Sequence, residues 1–238
     1  MKAFSILPKL LHVCFRNSEE LRNDSRRIYY ASISKQLGID TVEIDRLIDI
    51  SRASIYLTDF KVSSGNTTYT ELLYICLLAS QLRPGDNFLE IGTFDGTTIL
   101  NVSLNVPSDS MCYTIDLPHK EQSPSPEISE GDLELVNCSR RRSVKHLERP
   151  NIKQFYSDST KFDFSELKFN AAFIDGAHNY SVVKSDTDNI LKYIHRPGFI
   201  VWHDYYGCND VTRVIHEIAQ KYKIVQIADT NLCFLNLE

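Results

Sequence analysis

The run Phe88-Leu89-Glu90-Ile91-Gly92-Thr93-Phe94-Asp95-Gly96 constrains the fold more than any other stretch of the chain. A short apolar segment ends in an acid and two glycines, and a helix-compatible run over 97–105 follows at once. A buried strand that turns sharply into a helix needs glycine where the backbone bends or where a ligand comes close. Such a turn makes a nucleotide-sized pocket. Its spacing is Glu-x-Gly-x-x-x-Gly, whereas the dinucleotide fingerprint Gly-x-Gly-x-x-Gly would need glycine at Phe94 and Thr97. Nicotinamide and flavin binding are thereby disfavoured, and phosphate is not the expected ligand.

The length, 238 residues, suits one large α/β domain with an N-terminal extension. With 26 basic against 31 acidic side chains, the balance argues against nucleic acid as main partner, since phosphate backbones are bound by an excess of Lys and Arg. A small-molecule substrate is expected instead. The six cysteines (14, 76, 112, 138, 208 and 233) include no Cys-x-x-Cys pair, and Cys76 and Cys112 sit in apolar runs, which fits a reducing cytoplasm. No run of about 18 apolar residues argues for a membrane span. Pro8 and Lys9 interrupt the apolar N-terminal stretch and no Ala-x-Ala-like site follows, so a secretory leader is not expected.

Along the chain, 18–37 reads as a helix ended by Gly38, suited to a left-handed cap. Asp40-Thr41-Val42-Glu43 has capping-box spacing, and Ile44, Leu47 and Ile48 give the stripe of a second helix. These helices would cap the sheet or form a dimer contact, and the sequence does not choose. A polar loop over 61–68 leads to a third helix over 71–81, boxed by Thr68 and Glu71 and apolar nearly all round, hence buried. Strands are expected over 111–117, 152–156, 169–174 and 198–202. An amphipathic helix over 211–222 and a hairpin of 223–228 with 232–237 follow. The segment 119–131 reads as a mobile lid, and the basic cluster over 140–149 reads better as a solvated helix face than as a receptor for an acidic substrate.

Two strand ends carry the chemistry. Asp116 stands at the tip of the second strand of the sheet, placed to accept both hydrogen bonds of a ribose diol. Asp175-Gly176-Ala177-His178-Asn179-Tyr180 and His203-Asp204-Tyr205 follow the next two buried strands, at the edge where open α/β sheets place their sites. Helix caps and surface histidines would explain one such cluster. Acid and imidazole at the same end of two strands point to function.

Four motifs taken together resemble class I S-adenosylmethionine (SAM)-dependent methyltransferases. They are Ile-Gly-Thr-Phe-Asp-Gly at 91–96, Tyr-Thr-Ile-Asp-Leu-Pro at 113–118, Asp-Gly-x-His-x-Tyr at 175–180 and Trp-His-Asp-Tyr at 202–205. The likeness is to the small-molecule O-methyltransferase group and covers 67–238. It implies an α/β, Rossmann-like fold, with a seven-stranded, mostly parallel sheet closed by a C-terminal antiparallel hairpin. Residues 1–66 would form a helical cap or homodimer segment, and 67–238 the SAM-binding domain. The resemblance gives Glu90, Gly92, Thr93, Gly96, Asp116, Asp158 and Asp175 to the cofactor, with Asp158 meeting the adenine amino group unless it serves only the turn it opens.

It further implies methyl transfer to a hydroxyl. His178 would replace the lysine base of the catechol-type enzymes, Asp175 would orient that imidazole or bind metal, and Asp175, His203 and Asp204 would hold magnesium or manganese. Tyr205 departs from that pattern, because those enzymes carry a metal-binding Asn there. The rival readings are a metal-dependent hydrolase or oxygenase, against which the glycine turn and Asp116 speak, and a SAM-binding subunit without catalysis, against which His178 speaks.

Overall fold

The computed structural model describes residues 28–29, 31–59, 67–117 and 145–238. The expected lid at 119–131, most of the basic cluster, Cys14, Cys138 and the start of the 18–37 helix lie outside the described residues.

The apolar runs over 88–91, 171–174 and 199–202 form strands buried on both faces, as the centre of a parallel sheet requires. The strands are β1 (Asp40–Val42), β2 (Phe88–Ile91), β3 (Cys112–Asp116), β4 (Ile152–Tyr156), β5 (Ala171–Ile174), β6 (Gly198–Trp202), β7 (Ile224–Ile227) and β8 (Cys233–Leu237), in the spatial order β1-β7-β8-β6-β5-β2-β3-β4. All pairs are parallel except those of β8 with β6 and β7. Sheet order reverses at β2, which pairs with β3 on one side and β5 on the other. Ligands bind beyond the carboxyl ends of the strands at such a switch point.

Helices α1 (Tyr69–Ala79) and α2 (Thr97–Ser103) share one core cluster with Phe88, Ala171 and Phe173, while α3 (Tyr180–Tyr193) and α4 (Asn209–Ile218) share the other with Leu89, Ile91, Ala172 and Ile174. Neighbours along β2 and β5 thus face opposite layers, the two-residue period of a strand. The box at the start of α1 is complete: Glu71 N donates to Thr68 Oγ1 at 3.2 Å and Thr68 N to Glu71 Oε2 at 2.8 Å. Gly38 ends the first helix with φ +72°, as its position predicts.

Residues 40–46 fold differently from expectation. Asp40-Thr41-Val42 is an eighth strand, added in parallel to the edge of β7, and 44–46 and 50–52 are single 3₁₀ turns. Thr41 and Val42 are β-branched and suit a strand. Thr41 Oγ1 donates to Gln226 Oε1 at 2.7 Å, and Ala228 N to Val42 O at 2.9 Å. Residues 40–42 of the N-terminal segment therefore belong to the same sheet as the rest. Asn101 and Asn105 fasten its continuation, pairing with the backbones of Thr58 and Tyr56 at 2.7–3.0 Å.

Candidate active site

The turn after β2 needs glycine for a reason the sequence does not show. Gly92 has φ +97°, and a Cβ there would stand 2.3 Å from the backbone oxygen of Asp175. The space expected for a ligand against Gly92 Cα is thus occupied by the end of β5. At Gly96, the left-handed N-cap of α2, a Cβ would meet His146 Nδ1 at 2.0 Å. Beside this turn a cleft open to solvent is lined by Gly92, Asp116, Leu117, Asp158, Gly176 and Ala177 among others.

Of the expected cofactor residues, Gly92, Asp116 and Asp158 line that cleft, whereas Glu90, Thr93, Gly96 and Asp175 stand behind or beside it. Glu90 is fully buried. Thr114 Oγ1 donates to its Oε2 at 2.5 Å, Thr93 Oγ1 lies 2.6 Å from the same hydroxyl, and Oε1 has no partner among the described residues. Burial, with Asp175, Asp116 and Asp95 nearby, pushes its carboxyl well above the usual range despite the Thr114 bond. Asp116 Oδ1 accepts from Leu117 N at 2.8 Å at the tip of β3. Asp158 lines the cleft and opens a turn. It caps that turn, accepting from Thr160 N at 3.0 Å and Thr160 Oγ1 at 2.7 Å and pairing with Lys161 at 3.1 Å. Burial would raise its carboxyl, and these partners hold it below the usual value.

The second cluster stands where β5 and β6, neighbours in register at Ile174 and Trp202, release their chains. Asp175 follows β5, and His178 precedes Asn179, whose side chain caps α3 by accepting from Val182 N at 3.1 Å. Asp204 adopts φ +58°, a left-handed conformation rare outside glycine. His178 Nε2 meets Asp204 Oδ2 at 2.7 Å. His203 Nδ1 lies 3.2 Å from Asp175 Oδ1 and 3.4 Å from Asp204 Oδ1, and its Nε2 lies 3.3 Å from Glu71 Oε2.

The charges follow from this. Burial alone would lower the His203 imidazole, but Asp175, Asp204 and Glu71 outweigh it and raise its pKa well above the usual value. Burial would raise Glu71, yet His203, Asn231 N and Thr68 N bring it to about 2. Asp204 is held low by His178 and His203 against its own burial, while Asp175 is raised, by burial first and by Asp204 next.

Asp175, His178 and Asp204 each offer a ligand atom, all within 4.8 Å of one another. Two carboxylates and an imidazole converging within that distance are a donor set of the kind a divalent transition-metal ion takes. The expected ligand His203 stands beside them, with Nδ1 facing Asp175 and Asp204 and Nε2 facing Glu71.

Tyr205, in place of a metal-binding Asn, is turned into the core. Its hydroxyl meets Ser34 Oγ and lies 3.0 Å from His216 Nε2, and its ring centroid is 4.1 Å from that of Tyr206. Glu71 was legible only as a capping residue, because its contact to His203 spans 132 positions and leaves no local signal.

Residues 89–205, just under half of the chain, match the family model described as a methyltransferase domain. Among solved structures, the SAH-bound methyltransferase PaMTH1 of Podospora anserina is similar at 13% identity and a TM-score of 0.52, over 90% of this chain and 96% of that one. The O-methyltransferase NovP is similar at 12% and 0.52 over 89% and 99%, and an O-methyltransferase from Bacillus cereus in complex with SAH at 15% and 0.50 over 73% and 84%. The fold is that of the class I methyltransferases. No curated protein sequence matches the chain. Against this methyltransferase fold, the glycine-turn cleft lies at the switch point and the His178–Asp204 pair at the same end of the sheet. Among the described residues, no helix is long and apolar enough to cross a membrane.

Proposed function

We propose that the protein transfers a methyl group from SAM to a hydroxyl oxygen of a small molecule, with His178 as the proton acceptor. One observation carries the reading: Gly176 and Ala177 line the glycine-turn cleft, and the next residue is His178, held 2.7 Å from Asp204. The cleft suits a nucleoside, with glycine backbone at the switch point and Asp116 at the β3 tip for a ribose diol. Asp158, at the end of β4, is the group placed for the adenine edge.

SAM, when bound, supplies an electrophilic methyl carbon. The protein then has to hold a hydroxyl in line with that carbon and take its proton. Asp204, kept ionised, accepts from His178 Nε2–H, which leaves the imidazole lone pair on Nδ1. Nδ1 takes the hydroxyl proton as the oxygen–carbon bond forms and the carbon–sulfur bond breaks. Asp204 stabilises the resulting imidazolium. A small acceptor is favoured by the net charge of −5, which suits no polyanion.

Calorimetry with SAM and SAH, followed by assay of SAH release over a panel of phenols, catechols and sugar hydroxyls, tests the reading. Heat of binding with both ligands is expected. Absence of binding by either would end the methyltransferase assignment.

A further inference from the structure

The segment that carries Asp204 also holds the backbone on both sides of the His178 ring. Asp204 Oδ2 meets the imidazole Nε2 at 2.7 Å, and Cys208 Sγ donates to His178 O at 3.1 Å. Further along the same segment, Asp210 Oδ2 accepts from Tyr180 N at 3.1 Å. One stretch, 204–210, thus meets the ring of His178, its own carbonyl and the chain just beyond it.

Asp210 stands between two helix starts. It lies in the first turn of α4, and the N–H that it accepts belongs to the first residue of α3. The first N–H groups of a helix have no partner within that helix. At α3 the Asn179 side chain takes Val182 N, and Asp210 takes Tyr180 N from the neighbouring helix. The partial positive charge of both helix starts favours a carboxylate there. α4 grips the rest of Tyr180 as well. The Arg213 guanidinium lies 4.0 Å from the ring centroid, and the phenol donates to Glu217 Oε2 at 2.7 Å. Tyr180 closes the motif at 175–180 but does not line the glycine-turn cleft, and its hold on α4 gives it a purpose other than ligand contact.

We infer that Asp210 is a positioning residue for His178: by fixing the start of α3 against α4, it sets the imidazole at hydrogen-bonding distance from Asp204. The end of β5 does not do this alone. Asp175, Gly176 and Ala177 separate Ile174 from His178, and glycine leaves the backbone its widest choice of conformation. A misplacement of about 1 Å is enough to cost on the order of 10²-fold in rate. The inference deepens the methyl-transfer reading and rests on it for the chemistry His178 performs, though not for the geometry.

The test compares Asp210→Ala, which removes the acceptor of Tyr180 N–H, with Asp210→Asn, which keeps an oxygen in its place. Crystal structures of wild type and both variants read the separation of His178 Nε2 from Asp204 Oδ2. Assays with an acceptor from the panel read kcat and KM, at a temperature where melting curves show each chain folded. Asp210→Ala is expected to move the imidazole out of hydrogen-bonding distance from Asp204. Its kcat should fall about 10- to 100-fold with SAH affinity near wild type. Asp210→Asn should keep the pair together and retain most of kcat.

Either an intact pair or an unchanged kcat in Asp210→Ala would overturn the inference, because a role in the fold alone lowers the melting temperature and moves neither. Asp210→Asn as damaging as Asp210→Ala would overturn it too, since the hydrogen bond would not be what matters. Should Asp210→Ala not fold, Asp210→Ser takes its place, its hydroxyl falling short of the carboxylate's reach. If wild type binds no SAH or methylates nothing in the panel, the methyl-transfer reading falls, and the crystallographic separation alone decides the positioning role.

Discussion

His178 Nε2 and Asp204 Oδ2 lie 2.7 Å apart although 26 positions separate them. The pair forms because β5 and β6 run parallel and end together, so that both loops leave the sheet at one edge. Cys208 ties the two loops further, donating from its backbone N to Asp204 O at 3.0 Å and from Sγ to His178 O at 3.1 Å. Asp204 meets these demands only with φ +58°, a strain of about 1–3 kcal/mol that the surrounding contacts must offset. Strain of this kind recurs where geometry matters more than stability.

Gly92→Ala should damage the fold itself. The new Cβ would stand 2.3 Å from Asp175 O, backbone that cannot move without shifting β5, and φ +97° is unfavourable to any side chain. Overpacking and left-handed strain together suggest a loss of about 3 kcal/mol or more. Thermal unfolding without ligand measures it. A variant with normal stability and impaired SAH binding would return Gly92 to the ligand-contact role expected from sequence.

Asp116→Ala should weaken SAH by about 1.5–3 kcal/mol, the range for hydrogen bonds to a charged group. Asp116 lines the cleft at the tip of β3, and its removal leaves the strand pairing with β4 in place. Calorimetry reads the affinity and a melting curve the fold. Unchanged affinity would move the ribose contact elsewhere.

Much of this is legible in the sequence, and where it is not the reason is physical. The strand over 198–202 and the Thr68–Glu71 box follow from local pattern, because burial on both faces and a three-residue reach leave their mark in adjacent residues. Asp40–Val42 was misread as a helix start because its partner, β7, lies some 185 positions away, and pairing with an open sheet edge overrode the local capping signal. The contact of His203 to Glu71 leaves no local trace either, because 132 positions separate the two. At Tyr205 the departure from the metal-binding pattern was visible in the sequence, while its burial against Tyr206 and His216 was not.

Asp186 should make stability fall as pH rises. It is fully buried in α3, and neither carboxylate oxygen has an aligned hydrogen bond among the described residues. Burial raises its pKa from 3.8 to about 7, with Asp158 adding and Ser159 offsetting. Between those values the folded chain holds a proton that the unfolded chain has released. Stability is therefore greatest below the unfolded pKa, declines through this window and is level above it. Asp186→Asn stays neutral throughout. Its stability relative to wild type should rise by about 2–3 kcal/mol from pH 5 to pH 8, at roughly 1.4 kcal/mol per unit. Denaturant unfolding at the two pH values checks this, and a difference that does not change with pH would show Asp186 to be ordinarily ionised.

His178→Ala and Asp204→Asn test the chemistry. His178 is the residue next to the cleft lining, and Asp204 fixes its tautomer through the 2.7 Å contact. Removing the proton acceptor should cost on the order of 10²- to 10⁴-fold in turnover, measured as SAH release with an acceptor found in the panel. SAH affinity should stay near wild type, because the imidazole acts on the acceptor's proton and not on the cofactor. Asp204→Asn keeps an oxygen able to accept from Nε2–H but removes the charge that stabilises the imidazolium, so it too should lower turnover while leaving SAH binding intact. Its fold is checked by a melting curve, since the left-handed backbone at Asp204 is tolerated by Asn better than by most residues. If His178→Ala turned over near the wild-type rate with unchanged SAH affinity, the proton would have to leave by another group, and the 2.7 Å pair would be a structural clasp between the β5 and β6 loops.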